Sequence, residues 1–302
     1  MKPILKDHKK LIIILATGFV LHSILAIIPP LNGDESTFWE WSRHLALGYY
    51  DHPPLTAWVV ALFTNIFGTY KYSIRLAAIV LHLGTCIFIY CLSLDIIRKK
   101  EVALIAVTLY LLMPLSILFG TMMSTDVGLI LCFTAATYFI KKAIIDQKKH
   151  YWYATAIACG GMLLTKFMAV LFPPGIFLFL LLNKKYRKQF QMKEPYIATL
   201  IALLIFSPFI YWNMNNHWLT FQFNFVVRQR NEGFALIKPF IYFAGQMLAA
   251  SPVVFVVLLV VLVTFISHFT KNRNSKGLTG SNGDALLLLC YVIAFPLGYY
   301  FL

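Results

Sequence analysis

Long apolar stretches alternate with short polar ones along this chain. Apolar stretches fall at about 11–30, 74–97, 101–119, 127–140, 151–165, 167–183, 196–212, 239–268 and 285–302. About 20 apolar residues in a helix cross the hydrocarbon core of a bilayer, where helices satisfy their own backbone groups. The pattern therefore predicts an all-α fold, a polytopic transmembrane helical bundle of about nine spans. Several spans are short, which implies tilt or local thinning. The eighth is too long for one upright helix, and Pro252 is placed to kink it.

The polar connections are uneven. The longest, residues 31–73, begins ESTFWEWSRHLALG after its acidic start, with Phe38, Trp41 and Leu45 near one helical face and Glu40, Arg43 and His44 around the other. That spacing predicts a helix lying on the membrane surface, ended by Gly48. The apolar stretch 55–68 is read as an interfacial or re-entrant segment of the same loop, because a full span there would move every later loop to the other side. A second aromatic and amide-rich segment, 213–238, also belongs at the interface. No internal repeat, low-complexity run or soluble domain is visible, so residues 1–302 form one transmembrane domain.

Composition sharpens the class. Of 302 residues 60% are hydrophobic and only 13% charged, against about 25% charged in soluble domains; the mean hydropathy is +0.74. The net charge of +14 would point to nucleic acid in a soluble protein. Here the basic residues form short runs between apolar stretches, which excludes that reading in favour of membrane orientation. With the N-terminus cytoplasmic, 19 of the 26 Lys and Arg residues fall in inner segments, including Arg98–Lys100, Lys141 and Lys142, Lys148 and Lys149, and the run at 184–188. The outer segments hold Arg43, Lys71, Arg75, Lys166, Arg228, Arg230 and Lys238. The same bias splits 151–183 into two spans, since one long span would put KKYRK outside, and Pro173 and Pro174 oppose a single helix. The N-terminal apolar run is too long for a signal peptide and lacks a cleavage site, so it is an uncleaved span. The five cysteines lie inside apolar stretches without a CxxC pair, as packing residues.

This topology brings Asp34, Glu35, Asp51, Asp126, Lys166, Arg228 and Arg230 to one membrane face. Ionisable groups near hydrocarbon are costly and mark function by default. Carboxylates together with cations suit a reaction that needs a base and an anionic leaving group. Plainer roles stay open at this stage. Asp34 and Glu35 can cap the surface helix and Asp126 the fourth span. Lys166 can snorkel, and Arg228 and Arg230 can bind lipid phosphate without specificity. Arg75 is read as a helix-end anchor, and Asp95, His22 and His82 as helix–helix contacts. Trp39 and Tyr50 belong to the interfacial belt or stack on sugar.

The same residues carry a family resemblance. NGDESTFWEWSRHLALGYYDHPPLTAW resembles the first outer loop of bacterial transferases related to protein O-mannosyltransferases and to the lipid A aminoarabinose transferase, within the C-type glycosyltransferase superfamily. The similarity continues through SIRLAAIV, MMSTDVGL, GMLLTKFMAVLFPPG and FSPFIYWN. The resemblance implies an inverting glycosyl transfer at the outer face of the bacterial inner membrane, from a polyprenyl-phosphate sugar to an acceptor hydroxyl on a lipid, glycan or protein. Carried onto this chain, Asp34 is the general base, Asp126 the second acid, and Glu35 a positioning group. Lys166, Arg228 and Arg230 would hold the phosphate. His52, with Asp51 beside it, stands where the aminoarabinose transferase has a lysine. No motif names a cofactor, and a divalent cation stays open. Relative to the family, the C-terminal part of the pattern is expected to be missing. Two other classes compete: a lipid transporter, which predicts repeated halves and midplane charges, and a non-catalytic lipid-binding accessory protein.

Overall fold

The computed structural model describes residues 9–227, isolated residues between 240 and 263, and residues 281–299. Among the described residues every regular element is helical. In chain order these are α1 (Lys9–Ile27), α2 (Gly33–Arg43), α3 (Leu55–Phe67), α4 (Lys71–Ile97), α5 (Lys100–Leu112) and α6 (Pro114–Phe119). Then come α7 (Thr125–Ile144), α8 (Tyr151–Thr165), a 3₁₀ turn (Phe167–Leu171), α9 (Phe172–Leu182) and a second 3₁₀ turn (Arg187–Gln191). The chain continues through α10 (Lys193–Asn215), α11 (Leu219–Gln222), a π turn (Phe223–Val227) and α12 (Ser281–Tyr299). By length and composition α1, α4, α7 and α10 can cross a membrane, and α3, the Phe167–Leu182 unit and part of α12 are shorter apolar helices.

Two expected spans are interrupted. The stretch 101–119 breaks at Met113, which is extended (φ −66°, ψ 135°) ahead of Pro114, because the proline ring disfavours helical backbone in the residue before it. The stretch 167–183 opens with the 3₁₀ turn, and Pro173 and Pro174 sit in the first turn of α9, where a missing N–H costs nothing. The helix expected before Gly48, α2, also ends earlier than that glycine. It stops at Arg43, where His44 N donates back to Trp41 O at 3.1 Å and the buried Tyr49 hydroxyl, 3.0 and 3.2 Å from the carbonyl oxygens of Trp41 and His44, shares its one hydrogen between them. Gly48 serves a different purpose: a Cβ there would lie 2.6 Å from the Trp212 ring, so the loop can press onto α10 only without a side chain. The expected span 239–268 falls where only isolated residues are described.

Small residues set the helix spacing. A Cβ on Gly128 would meet Thr165 at 2.8 Å, and one on Gly160 would meet Ile205 at 2.7 Å, so α7, α8 and α10 approach closely. The main core, with Ile140, Met162, Phe172, Phe179 and Leu288 all buried, lies between α7, α8, α9 and α12. Polar contacts gather at the two ends of the bundle. At one end, Lys71 donates to the carbonyls of Ile27 and Pro29, Arg75 grips Glu35, and Lys166 meets Asp126. At the other, Lys141 and Lys142 pair with Asp95 and Asp146, and Trp152 donates to Gln189. His22 packs edge-on to His82 at 4.9 Å between α1 and α4. Asp95, His22 and His82 thus make the helix–helix contacts expected of them.

Candidate active site

The first of these two ends is built on α2. Asn32 caps the helix: its Oδ1 accepts from Glu35 N at 2.7 Å, and Glu35 Oε2 accepts from Asn32 N at 3.1 Å, a reciprocal capping box. This fixes the first turn. Asp34 points out of it, exposed, with no hydrogen bond or ion pair among the described residues. Phe38 turns inward onto Val60, Ile74, Ala77 and Met123. Glu40 stays outside with Arg43 and His44, at 3.2 and 3.4 Å.

Glu35 differs completely from its neighbour. It is fully buried against the fully buried Arg75, in a bidentate pair at 2.8 and 2.7 Å. Arg75 also donates to the carbonyls of Ala26, Pro29 and Pro30 at 2.7–2.9 Å, which makes it the anchor of α1's end. Met123 N donates to Glu35 Oε1 at 3.2 Å. The carboxylate is thereby tied to the segment that leads into α7.

Asp126 lies in the first turn of α7 and Lys166 just beyond the end of α8. Lys166 Nζ donates to Asp126 Oδ1 at 2.6 Å, with both side chains about one third exposed (28% and 33%). Ser124 precedes α7 as its N-cap but makes no capping bond, and its Oγ is buried without a partner. Sequence reasoning did not single out Ser124; its place in the STD element was the available signal.

Asp51 and His52 sit in the turn between α2 and α3. The Asp51 Oδ1 to His52 Nδ1 distance is 3.0 Å, but both atoms are buried and neither makes a hydrogen bond. Buried polar atoms are nearly always paired. Of the four buried side-chain N and O atoms that make no hydrogen bond among the described residues, three belong to Asp51, His52 and Ser124, all at this end. The turn is held from α11 and the π turn: Thr220 donates to Tyr49 O at 2.7 Å and Asn224 to Asp51 O at 3.0 Å. The Tyr49 ring stacks on Trp41 at 4.4 Å, and burial pushes its phenol above the usual range, offset in part by the N–H of Ala46.

The two aromatic candidates are placed differently. Trp39 is half-buried, with the Arg43 guanidinium 5.2 Å over its ring. Tyr50 is exposed and packs on Phe223 at 4.5 Å. Phe167, next to Lys166, contacts Phe221 and Phe225. Arg228 and Arg230 lie outside the described residues. Among the described residues no three His, Cys, Asp or Glu side chains come together as a metal cluster.

A family model described as dolichyl-phosphate-mannose-protein mannosyltransferase matches residues 51–212. The chain is 27% identical to lipid A galacturonosyltransferase RgtD of Rhizobium johnstonii, over 80% of this chain and 50% of that protein. It is 28% identical to undecaprenyl phosphate-alpha-4-amino-4-deoxy-L-arabinose arabinosyl transferase 2 of Proteus mirabilis, over 66% of this chain and 39% of that protein. The chain thus spans half or less of the length of these curated relatives. Its fold is similar to that of ArnT from Cupriavidus metallidurans in the apo state, with a TM-score of 0.65 and 15% identity, over 97% of this chain and 60% of that one.

Proposed function

The chain belongs to the dolichyl-phosphate-mannose-protein mannosyltransferase family, and from that premise we propose that it is a membrane glycosyltransferase using a polyprenyl-phosphate-linked sugar. The relatives named for lipid A galacturonosyl transfer and for aminoarabinosyl transfer from undecaprenyl phosphate favour a lipid acceptor. In this reading the site faces the outside of a bacterial inner membrane and the N-terminus is cytoplasmic.

Asp34 takes the proton of the acceptor hydroxyl. The hydroxyl oxygen bonds to the anomeric carbon from the face opposite the phosphate, the bond from that carbon to the phosphate oxygen breaks, and the lipid phosphate leaves with both electrons. The product is inverted. Lys166, together with Arg228 and Arg230, holds the phosphate through charge-assisted hydrogen bonds. Asp126 keeps Lys166 at the mouth of the site until the donor arrives. Asp51, His52 and Ser124 offer polar atoms that make no hydrogen bond among the described residues to donor or acceptor, and Trp39 and Tyr50 offer apolar faces to the sugar.

The observation that carries the reading is the exposed Asp34 carboxylate, unpaired among the described residues, at the same end of the bundle as the Asp126–Lys166 pair. The test is transfer of radiolabelled sugar from a polyprenyl-phosphate donor to a lipid A acceptor by the purified chain in nanodiscs. Asp34→Asn should insert normally and lose about 10²–10⁴ in rate, the range for removing a general base. Full activity in that variant would remove Asp34 from the role. Donor binding without any transfer by the wild-type chain would favour the accessory-protein reading.

A further inference from the structure

Arg75 uses all five of its N–H donors: two on Glu35, and one each on the carbonyls of Ala26, Pro29 and Pro30. Glu35 uses both carboxylate oxygens twice, for Arg75 on each, for Asn32 N on one and for Met123 N on the other. The network is closed. All four hydrogen bonds that Glu35 accepts come from within the protein, two from Arg75 and two from backbone amides. Stability alone is a poor account of such a pair, since desolvating two charges costs about as much as their attraction returns. What the pair provides is geometry.

That geometry ends at the two acids. Asp34 has no hydrogen bond or ion pair among the described residues, so its place depends on the first turn of α2, which Glu35 and Asn32 hold. Asp126 lies three residues past Met123, on a helix whose N-cap Ser124 makes no side-chain bond. Among the described residues the amide of Met123 on Glu35 Oε1, at 3.2 Å, joins the start of α7 to the start of α2, beside a longer contact of 3.7 Å from Asn32 Nδ2 to the Met122 sulfur. We infer that Arg75 and Glu35 are positioning residues that fix Asp34 and Asp126 relative to each other, through one carboxylate bonded to both backbone segments. This rests on the transferase reading above for its catalytic consequence, though not for its structural one.

Glu35→Asp keeps the charge and withdraws the carboxylate by one methylene, so it cannot reach both Arg75 and Met123. Arg75→Lys keeps the charge and loses the fork. Both should lower kcat by about 10²-fold, as misplacement by about 1 Å does, with donor KM changed by no more than about threefold. Amide hydrogen exchange followed by mass spectrometry supplies a readout independent of activity: the peptide containing Met123 should exchange about tenfold faster in both variants, a loss of protection of the size one hydrogen bond gives. A wild-type chain with no transferase activity would defeat the transferase reading and leave the exchange measurement to decide this one. Unchanged exchange at Met123, or full kcat per folded molecule in a variant that merely folds less well, would overturn the positioning role.

Discussion

Asp34 and Glu35 carry the same chemistry one residue apart and end in opposite surroundings, because the first turn of α2 sends one outward and the other onto Arg75. The Lys166–Asp126 pair shows the same dependence on partners about forty positions away. A lysine at that hairpin tip can simply snorkel, in which case glutamine is tolerated. Its pairing with Asp126 is one third exposed and contributes little to stability. If Lys166 grips the donor phosphate instead, it gives up Asp126 for a charge-assisted contact that is worth about 1.5–3 kcal/mol. Part of that energy appears only as the phosphate gains charge. Lys166→Gln should therefore lower both donor affinity and turnover while leaving the melting temperature nearly unchanged, measured by steady-state transfer and a detergent melt. Normal kinetics would return Lys166 to snorkelling. The candidate residues were legible from their types and from the charge bias; their division into free and engaged groups was not. Arg75 read as a helix-end anchor, and it does hold α1, but its grip on Glu35 needed the fold to bring residues 35 and 75 together.

At the level of elements, hydrophobic periodicity found α1, α4, α7, α8, α10 and α12 at nearly the observed places. It missed the break at Met113 and the 3₁₀ turn at Phe167–Leu171, since apolar runs look continuous whether or not the backbone is. Where helices cross was also invisible, because it depends on single glycines. Gly175 lets α9 lie against α12: a Cβ there would stand 2.5 Å from the carbonyl oxygen of Tyr291 and 3.0 Å from Val292 Cα. Backbone cannot swing aside as a side-chain tip can, so Gly175→Ala should separate the two helices and destabilise by about 1–3 kcal/mol, the usual cost of overpacking. The salt bridge from Lys185 to Asp284 at 2.5 Å, on the same pair of segments, should loosen with it. Gly33→Ala, where nothing lies within 4 Å, is the matched control. Equal melting temperatures for the two variants would show that α12 is not held by this contact.

For the molecule as a whole, the charge bias and the packing agree on a division into two ends. The segments assigned outside by sequence, those carrying Glu35, Arg75, Met123, Asp126 and Lys166, bond to one another. Those assigned inside, carrying Asp95, Lys141, Lys142, Asp146 and Gln189, also bond to one another. Between these two sets run α4 and α7, side by side in the same direction, and α7 with its 20 residues spans about 30 Å, the thickness of a hydrocarbon core. The contacts say which loops share an end; in the topology proposed above, the end rich in Lys and Arg is the one in the cytoplasm. Single cysteines introduced into a cysteine-free chain test the combination. Ser36 and Asn215 are exposed at the end with Asp34, and Lys99 and Lys149 are exposed at the opposite end. An impermeant maleimide applied to intact cells should label Ser36→Cys and Asn215→Cys, and should reach Lys99→Cys and Lys149→Cys only after the membrane is opened. The reverse pattern would turn the site to the cytoplasm, where nucleotide sugars are available and a lipid-linked donor loses its rationale. Labelling of all four from outside would undo the alternation of helices itself, and with it the shared face on which Asp34, Asp126 and Lys166 depend.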